Sequence, residues 1–177
     1  MKVINFKWIS VFVLGFTSMQ VVCAQRQFRI GIAQDVIVPT GAFAGSSYPG
    51  NGVGILARYS ITKRLVVGTN TAYLWFGNKN SANYTIVVPL SGTLEYLFPF
   101  NESLRFYTGF DVGYYGIAST SEPRDFKFLP GVAPFIGVSH PLSDWLSVFI
   151  TVKYFNVFAS NNVNASIAIG TGLTFRL

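Results

Sequence analysis

NGVGILARYSITKRLVVGTNTAYLW, residues 51–75, is the stretch whose reading decides the fold. Within it Val53, Ile55, Ala57, Tyr59 and Ile61 alternate with Gly54, Leu56, Arg58 and Ser60. Successive side chains of a strand point to opposite faces, so a period of two describes a strand with one apolar face and one small or polar face. Past Thr62 and Lys63 the alternation resumes, with Leu65, Val67, Thr69, Thr71, Tyr73 and Trp75 on one side. Val66, Gly68, Asn70, Ala72 and Leu74 take the other. The stretch therefore predicts two long strands joined by a tight turn.

The same pattern recurs outward from it, and Leu104, Phe106, Thr108, Phe110, Val112 and Tyr114 oppose Arg105, Tyr107, Gly109, Asp111, Gly113 and Tyr115. Eight such segments are expected, at 27–36, 52–61, 64–76, 84–98, 104–117, 131–140, 145–157 and 164–177. They are long for globular strands, which average about five or six residues, and match the roughly 9–11 residues of a tilted membrane-spanning strand. Connections near 62–63, 99–103 and 141–144 are short, whereas those near 37–51, 77–83, 118–130 and 158–163 are longer and richer in Gly, Ser, Asn and charge. Short inner turns, longer external loops and an even strand count are the habit of outer-membrane barrels. Lipid cannot hydrate a free strand edge, so the sheet must close. The expected fold is an all-β, eight-stranded, antiparallel up-and-down transmembrane β-barrel. Eight strands enclose a space about filled by side chains, so a plugged interior is expected and not a pore.

Composition agrees. Of 177 residues, 50% are hydrophobic, 16% aromatic and only 11% charged, against about a quarter charged in soluble domains. No run after residue 24 reaches the roughly 18 apolar residues of a spanning helix. At the N-terminus, Lys2 and Lys7 precede a short apolar core from Trp8 to Phe16 and a Val22-Cys23-Ala24 cleavage sequence. Residues 1–24 are expected to be a cleaved signal peptide and 25–177 the barrel domain. An uncleaved anchor helix and lipidation of Cys23 are the alternatives. Cleavage would remove the only cysteine and lower the net charge from +6 to +4. The exported chain would then have no disulfide and no thiolate metal site, and with no Lys/Arg-rich run or basic helix, no nucleic-acid partner is expected.

At RYSITKRLVVG (58–68), EYLFPFNESLRFYTGFDVGYYG (95–116) and GTGLTFRL (170–177) the chain resembles the small OmpA/OmpX/OmpW-like outer-membrane barrels. It is closer to the Bacteroidetes-type outer membrane protein β-barrel domain. The resemblance implies outer-membrane lipids and lipopolysaccharide as surroundings, and insertion by the barrel-assembly machinery. It also implies an assembly signal, matched by Gly172, Phe175 and Leu177, with Leu in place of the commoner terminal aromatic residue.

The inward faces hold the candidate sites. Arg29, Asp35, Arg58, Glu95, Arg105, Asp111, Lys153 and Arg176 are the strand charges expected inside, where charges persist only when paired and hydrogen-bonded. Glu95 and Arg105, equidistant from a turn centred near residue 100, are expected to pair across strands. Arg29, Arg58, Glu95, Arg105 and Arg176 form a lower, net-positive layer and Asp35, Asp111 and Lys153 a higher one. A hydrated ionic network that fills the barrel is the leading reading of these charges, and a selectivity ring the sharper one. Pro89 and Pro134 fall inside strands four and six, where a missing donor should force a bulge or a local gap. The bland reading is a bulged rim; the sharper one is a lateral opening for an apolar ligand or lipid.

Nothing points to catalysis, a cofactor or a metal. His140 and Ser139 adjoin, but alternation sends them to opposite faces, and neither of the family's lipid-modifying enzyme motifs is present in an external position. The leading function is therefore a non-enzymatic outer-membrane barrel with a structural, adhesive or small-ligand-binding role through loops 37–51 and 118–130. The second reading is a channel or lateral transporter of small hydrophobic molecules, and the third a lipid-modifying enzyme.

Overall fold

In a computed structural model of the chain the described residues are 28–99, 103–120, 122–159 and 162–177, so the expected signal peptide lies outside them. Eight strands form a closed barrel in sequence order. They are β1 (Phe28–Thr40), β2 (Ser47–Ser60), β3 (Leu65–Asn78), β4 (Tyr84–Pro99), β5 (Arg105–Ser119), β6 (Glu122–Pro141), β7 (Leu146–Ala159) and β8 (Asn162–Arg176), with a short helix α1 (Gly41–Ser46) between β1 and β2. Every neighbouring pair is antiparallel, and β8 returns to β1 through Arg29↔Arg176 to Thr40↔Ala165. Closure leaves no open edge, which is what lipid demands of a sheet.

The period of two sets the faces as the sequence predicts. Ile32, Ile55, Leu90, Ile136, Ile150 and Ile169 stand exposed on the outside, Leu90 to 67%. Leu56, Val66, Leu74, Phe76, Phe135 and Phe149 are buried within. This inversion, large aliphatics outward and every buried charge inward, suits a hydrocarbon surround. Aromatic side chains gather toward both ends of the outer surface. Tyr96 packs on Phe98 and Trp145 stacks on Phe175 at the end holding the short turns, while Tyr73 meets Trp75 and Phe126 stacks on Phe128 toward the other. Two of the short turns share one device. The Thr62 hydroxyl accepts from the backbone N–H of Arg64 and Leu65 at 3.1 and 2.9 Å, and the Ser143 hydroxyl accepts from Leu146 N–H at 3.2 Å. A hydroxyl that satisfies the turn's own backbone fixes a tight reversal.

Two expected loops prove to be largely paired backbone. Where 37–51 is read as a loop, β1 runs to Thr40, β2 starts at Ser47, and Ile37↔Gly50 and Val36↔Asn51 still pair. Where 118–130 is read as a loop, β6 begins at Glu122 and pairs with β5 through Ile117↔Lys127 and Ser119↔Glu122. Beyond the apolar band a strand needs no greasy face, so Gly, Pro and charge erase the alternation while the backbone goes on pairing.

Of the bulge or local gap expected at Pro89 and Pro134, the gap is what forms. Register shifts occur at Ser47/Gly50 and at Ile117/Ser119, both at the outer rim, and not at Pro89 or Pro134. At the prolines the register is kept and the pairing is interrupted on one side only. β3 and β4 pair to Thr71↔Leu90 and again from Leu74↔Val87. β6 and β7 pair to Val132↔Asn156 and again from Phe135↔Lys153. Each proline lacks an N–H to give, and a gap costs less here than shifting the register, which would turn every later side chain to the wrong face.

Candidate functional site

The inner faces stack three zones along the barrel. In the middle zone Asp111 of β5 is 1% exposed and surrounded by donors from three other strands. Asn70 Nδ2 of β3 donates at 3.0 Å, Thr93 Oγ1 of β4 at 2.5 Å and Lys153 Nζ of β7 at 2.6 Å. A buried carboxylate is tolerated where each oxygen is hydrogen-bonded and a cation adjoins. Lys153 is held between rings as well, its Nζ 5.5 Å from the centroids of both Phe135 and Phe155. Asp35 lines the adjoining cavity with Lys153, without an ion pair of its own within 4 Å among the described residues.

Below lies the glutamate zone. Glu95 of β4 meets Arg58 of β2, whose Nε is 3.5 Å from Oε2, and Arg29 of β1, whose Nη2 is 3.9 Å from Oε1. Arg58 also donates from Nη1 to the carbonyls of Thr69 at 2.9 Å and Ala57 at 3.2 Å. It lies flat because its cross-strand partner is Gly68: a Cβ there would come within 2.8 Å of Arg58 Cδ. Leu56, Val66, Leu97, Tyr107, Phe135 and Phe149 pack around this zone. The Tyr107 hydroxyl is hydrogen-bonded to that of Thr151. A cavity of about 70 Å³ lies between the two charged zones.

The expected Glu95–Arg105 pair does not form. Arg105 lies opposite Pro99 and Glu95 opposite Gly109, so the reversal is centred two residues later than the sequence reading supposed and the two side chains sit at different heights. Glu95 reaches across the lumen to β1 and β2 instead. Of the eight inward charges, Arg29, Arg58, Glu95, Asp111 and Lys153 enter ion pairs, whereas Asp35, Arg105 and Arg176 have none within 4 Å among the described residues.

The outer end is apolar. Ile37, Leu74, Phe76, Val87, Tyr115, Phe155 and Val157 are buried together. Phe43 of α1 closes over them, edge-on to Phe76 at 5.2 Å. Gly41, at φ +58, supplies the left-handed residue that turns β1 into this helix. Only about 50 Å³ remains beneath the cover.

Pro89 faces inward and is buried, while Pro134 is exposed on the outer face. Gly172 faces inward against the Phe149 ring, Phe175 stacks on Trp145, and Leu177 is exposed. Ser139 lines the inner cavity, whereas His140 donates from Nδ1–H to the Ser103 carbonyl on the other face. No dyad can form between them. Asn70, Thr93, Thr151 and Phe43 escaped the sequence reading. The first three are uncharged residues in the inward parity, and that parity was the available signal.

No protein-family model matches the sequence, and no curated protein matches it. Among solved structures the chain is similar to Neisserial surface protein A, with TM-score 0.69, 15% identity, and coverage of 85% of this chain and 97% of that one. It is similar to the outer membrane protein OprG from Pseudomonas aeruginosa, with TM-score 0.57, 13% identity, and 85% and 95% covered. The attachment invasion locus protein Ail of Yersinia pestis follows, with TM-score 0.53, 16% identity, and 85% and 97% covered. At these identities the likeness is one of fold: the chain has the architecture of the small eight-stranded outer-membrane barrels.

Proposed function

We propose that this chain is a non-enzymatic integral protein of a Gram-negative outer membrane. It is a plugged barrel that works as a structural, adhesive or small-ligand-binding element through its outer end. Residues 1–24 are its cleaved export signal, and the short turns at 61–64 and 142–145 face the periplasm. The single observation that carries the reading is the filled lumen, in which the Glu95 zone, the Asp111 zone and the apolar cluster under Phe43 succeed one another across the membrane. With the lumen occupied, what remains to meet the outside is α1 and the β5–β6 hairpin, which carries exposed Phe126 and Phe128. Lipid and lipopolysaccharide surround the aliphatic band, and the barrel-assembly machinery recognises Gly172, Phe175 and Leu177. Purified protein in planar bilayers should be electrically silent; discrete conductance steps would overturn the plugged reading.

A second reading, lateral passage of small hydrophobic molecules, rests on the interrupted pairing at Pro89. Leu74 and Val87 flank that gap and also line the apolar chamber, while Tyr73 and Val88 line a groove on the outer face. Uptake of a hydrophobic dye into cells would favour it if Pro89→Val, which restores a donor to the ladder, slowed the uptake.

A further inference from the structure

The lower mouth of the barrel carries a charge arrangement that the filled-barrel reading leaves without a purpose. Arg29 stands directly opposite Arg58 on one side and Arg176 on the other, so three guanidinium groups occupy one inward row on adjacent strands. Like charges opposite one another across a sheet destabilise it. Glu95 answers two of them and sits on the far side of the row from the mouth. Even so, Arg29 Nη2 is buried with no hydrogen-bond partner.

Below this row opens a vestibule of about 400 Å³ lined by Arg29, Ser60, Thr62, Lys63, Arg105 and Arg176, together with Leu97. Among the described residues its lining contains no carboxylate, and none lies within 4 Å of Lys63, Arg105 or Arg176. Arg64, by contrast, turns outward, its Nη1 donating to the Tyr96 hydroxyl at 3.4 Å. Asp144, in the turn before β7, is exposed and is not part of the lining. Four cations and two hydroxyls therefore converge on one open space.

We propose that this vestibule is a binding site for a small multivalent oxyanion of the phosphate or pyrophosphate class. Guanidinium forks match the paired oxygens of such an anion, and hydroxyls can donate to those left over. An anion seated there would offset the repulsion along the arginine row. Only the compartment from which the anion comes, the periplasm, rests on the orientation proposed above. A soluble oxyanion is favoured over a lipid headgroup because the vestibule opens on the barrel axis while the aliphatic band faces away from it.

The test is isothermal titration of the folded, detergent-solubilised protein with sodium pyrophosphate and with inorganic phosphate at about 0.1 M sodium chloride, where exposed charges beyond about 10 Å are screened. One saturable site for pyrophosphate is expected, weakened by roughly ten-fold or more in Arg105→Gln/Arg176→Gln, a loss of about 1.4 kcal/mol. Lys79→Gln, at the outer end, should leave it unchanged. No saturable heat in the wild type, or unchanged affinity in a double variant whose unheated and boiled samples migrate differently on a gel, the mark of a closed barrel, would overturn the site. Nanodiscs containing phosphatidic acid decide the source. Affinity for pyrophosphate equal to that in phosphatidylcholine discs supports the soluble anion, and affinity weakened by the acidic lipid overturns that source in favour of a headgroup phosphate. Cysteine labelling at Lys63 reports orientation separately, so an inverted barrel would be recognised without touching the binding result.

Discussion

Lys153 Nζ donates to Asp111 Oδ2 at 2.6 Å in the middle of the barrel, joining β7 to β5 across the lumen. Lys153→Met should leave an uncompensated carboxylate in the interior and cost about 3–5 kcal/mol, whereas Lys153→Met/Asp111→Asn should cost less than the single change. Reversible denaturant unfolding in lipid vesicles measures both. A double variant as unstable as the sum of its parts would show that the contact carries no coupling.

The position of Glu95 makes a sharper distinction. Double-mutant cycles should give a coupling of about 0.5–3 kcal/mol between Glu95→Gln and Arg58→Gln, and none between Glu95→Gln and Arg105→Gln. Coupling of Glu95 to Arg105 instead would restore the pairing that the register excludes.

Gly68 is where the sheet makes room for a charge. A Cβ at position 68 would clash with the Ala57 carbonyl oxygen and meet Arg58 Cδ at 2.8 Å, so Gly68→Val should shift backbone as well as Arg58 and cost on the order of 1–3 kcal/mol. Gly92→Ala is the matched comparison. Its nearest heavy atom, the Val112 carbonyl oxygen, is 3.9 Å from the added Cβ, so thermal unfolding of that variant should stay close to wild type.

Strand count, closure, faces and which charges point inward were legible in the sequence because all follow from one period of two, read across segments as clear as Leu65–Trp75. Partner choice was not. Glu95 and Arg105 share a hairpin, and symmetry about an assumed turn centre gave a pair that an offset of two residues removes. Glu95 finds Arg29 and Arg58 across the lumen, a distance set by how a closed sheet curves and not by separation along the chain. The outer margins of β1, β2 and β6 were missed for a different reason. Gly, Pro and charge around Pro39, Gly50 and Lys127 break the alternation there, although the backbone goes on pairing and Val38, Tyr48, Phe126 and Phe128 still stand exposed. Phe43 was hidden in the same way, within a stretch taken for a loop.

The central claim is that the chain crosses an outer membrane eight times with its short turns in the periplasm, and site-directed labelling on intact cells tests it most directly. In a Cys23→Ser background, single cysteines at Ser46 and Asn80 should react with a membrane-impermeant maleimide, while cysteines at Lys63 and Ser143 should react only after the cells are opened. Labelling at Lys63 or Ser143 on intact cells, with Ser46 and Asn80 protected, would contradict the orientation. Labelling at all four alike would contradict the membrane crossing itself.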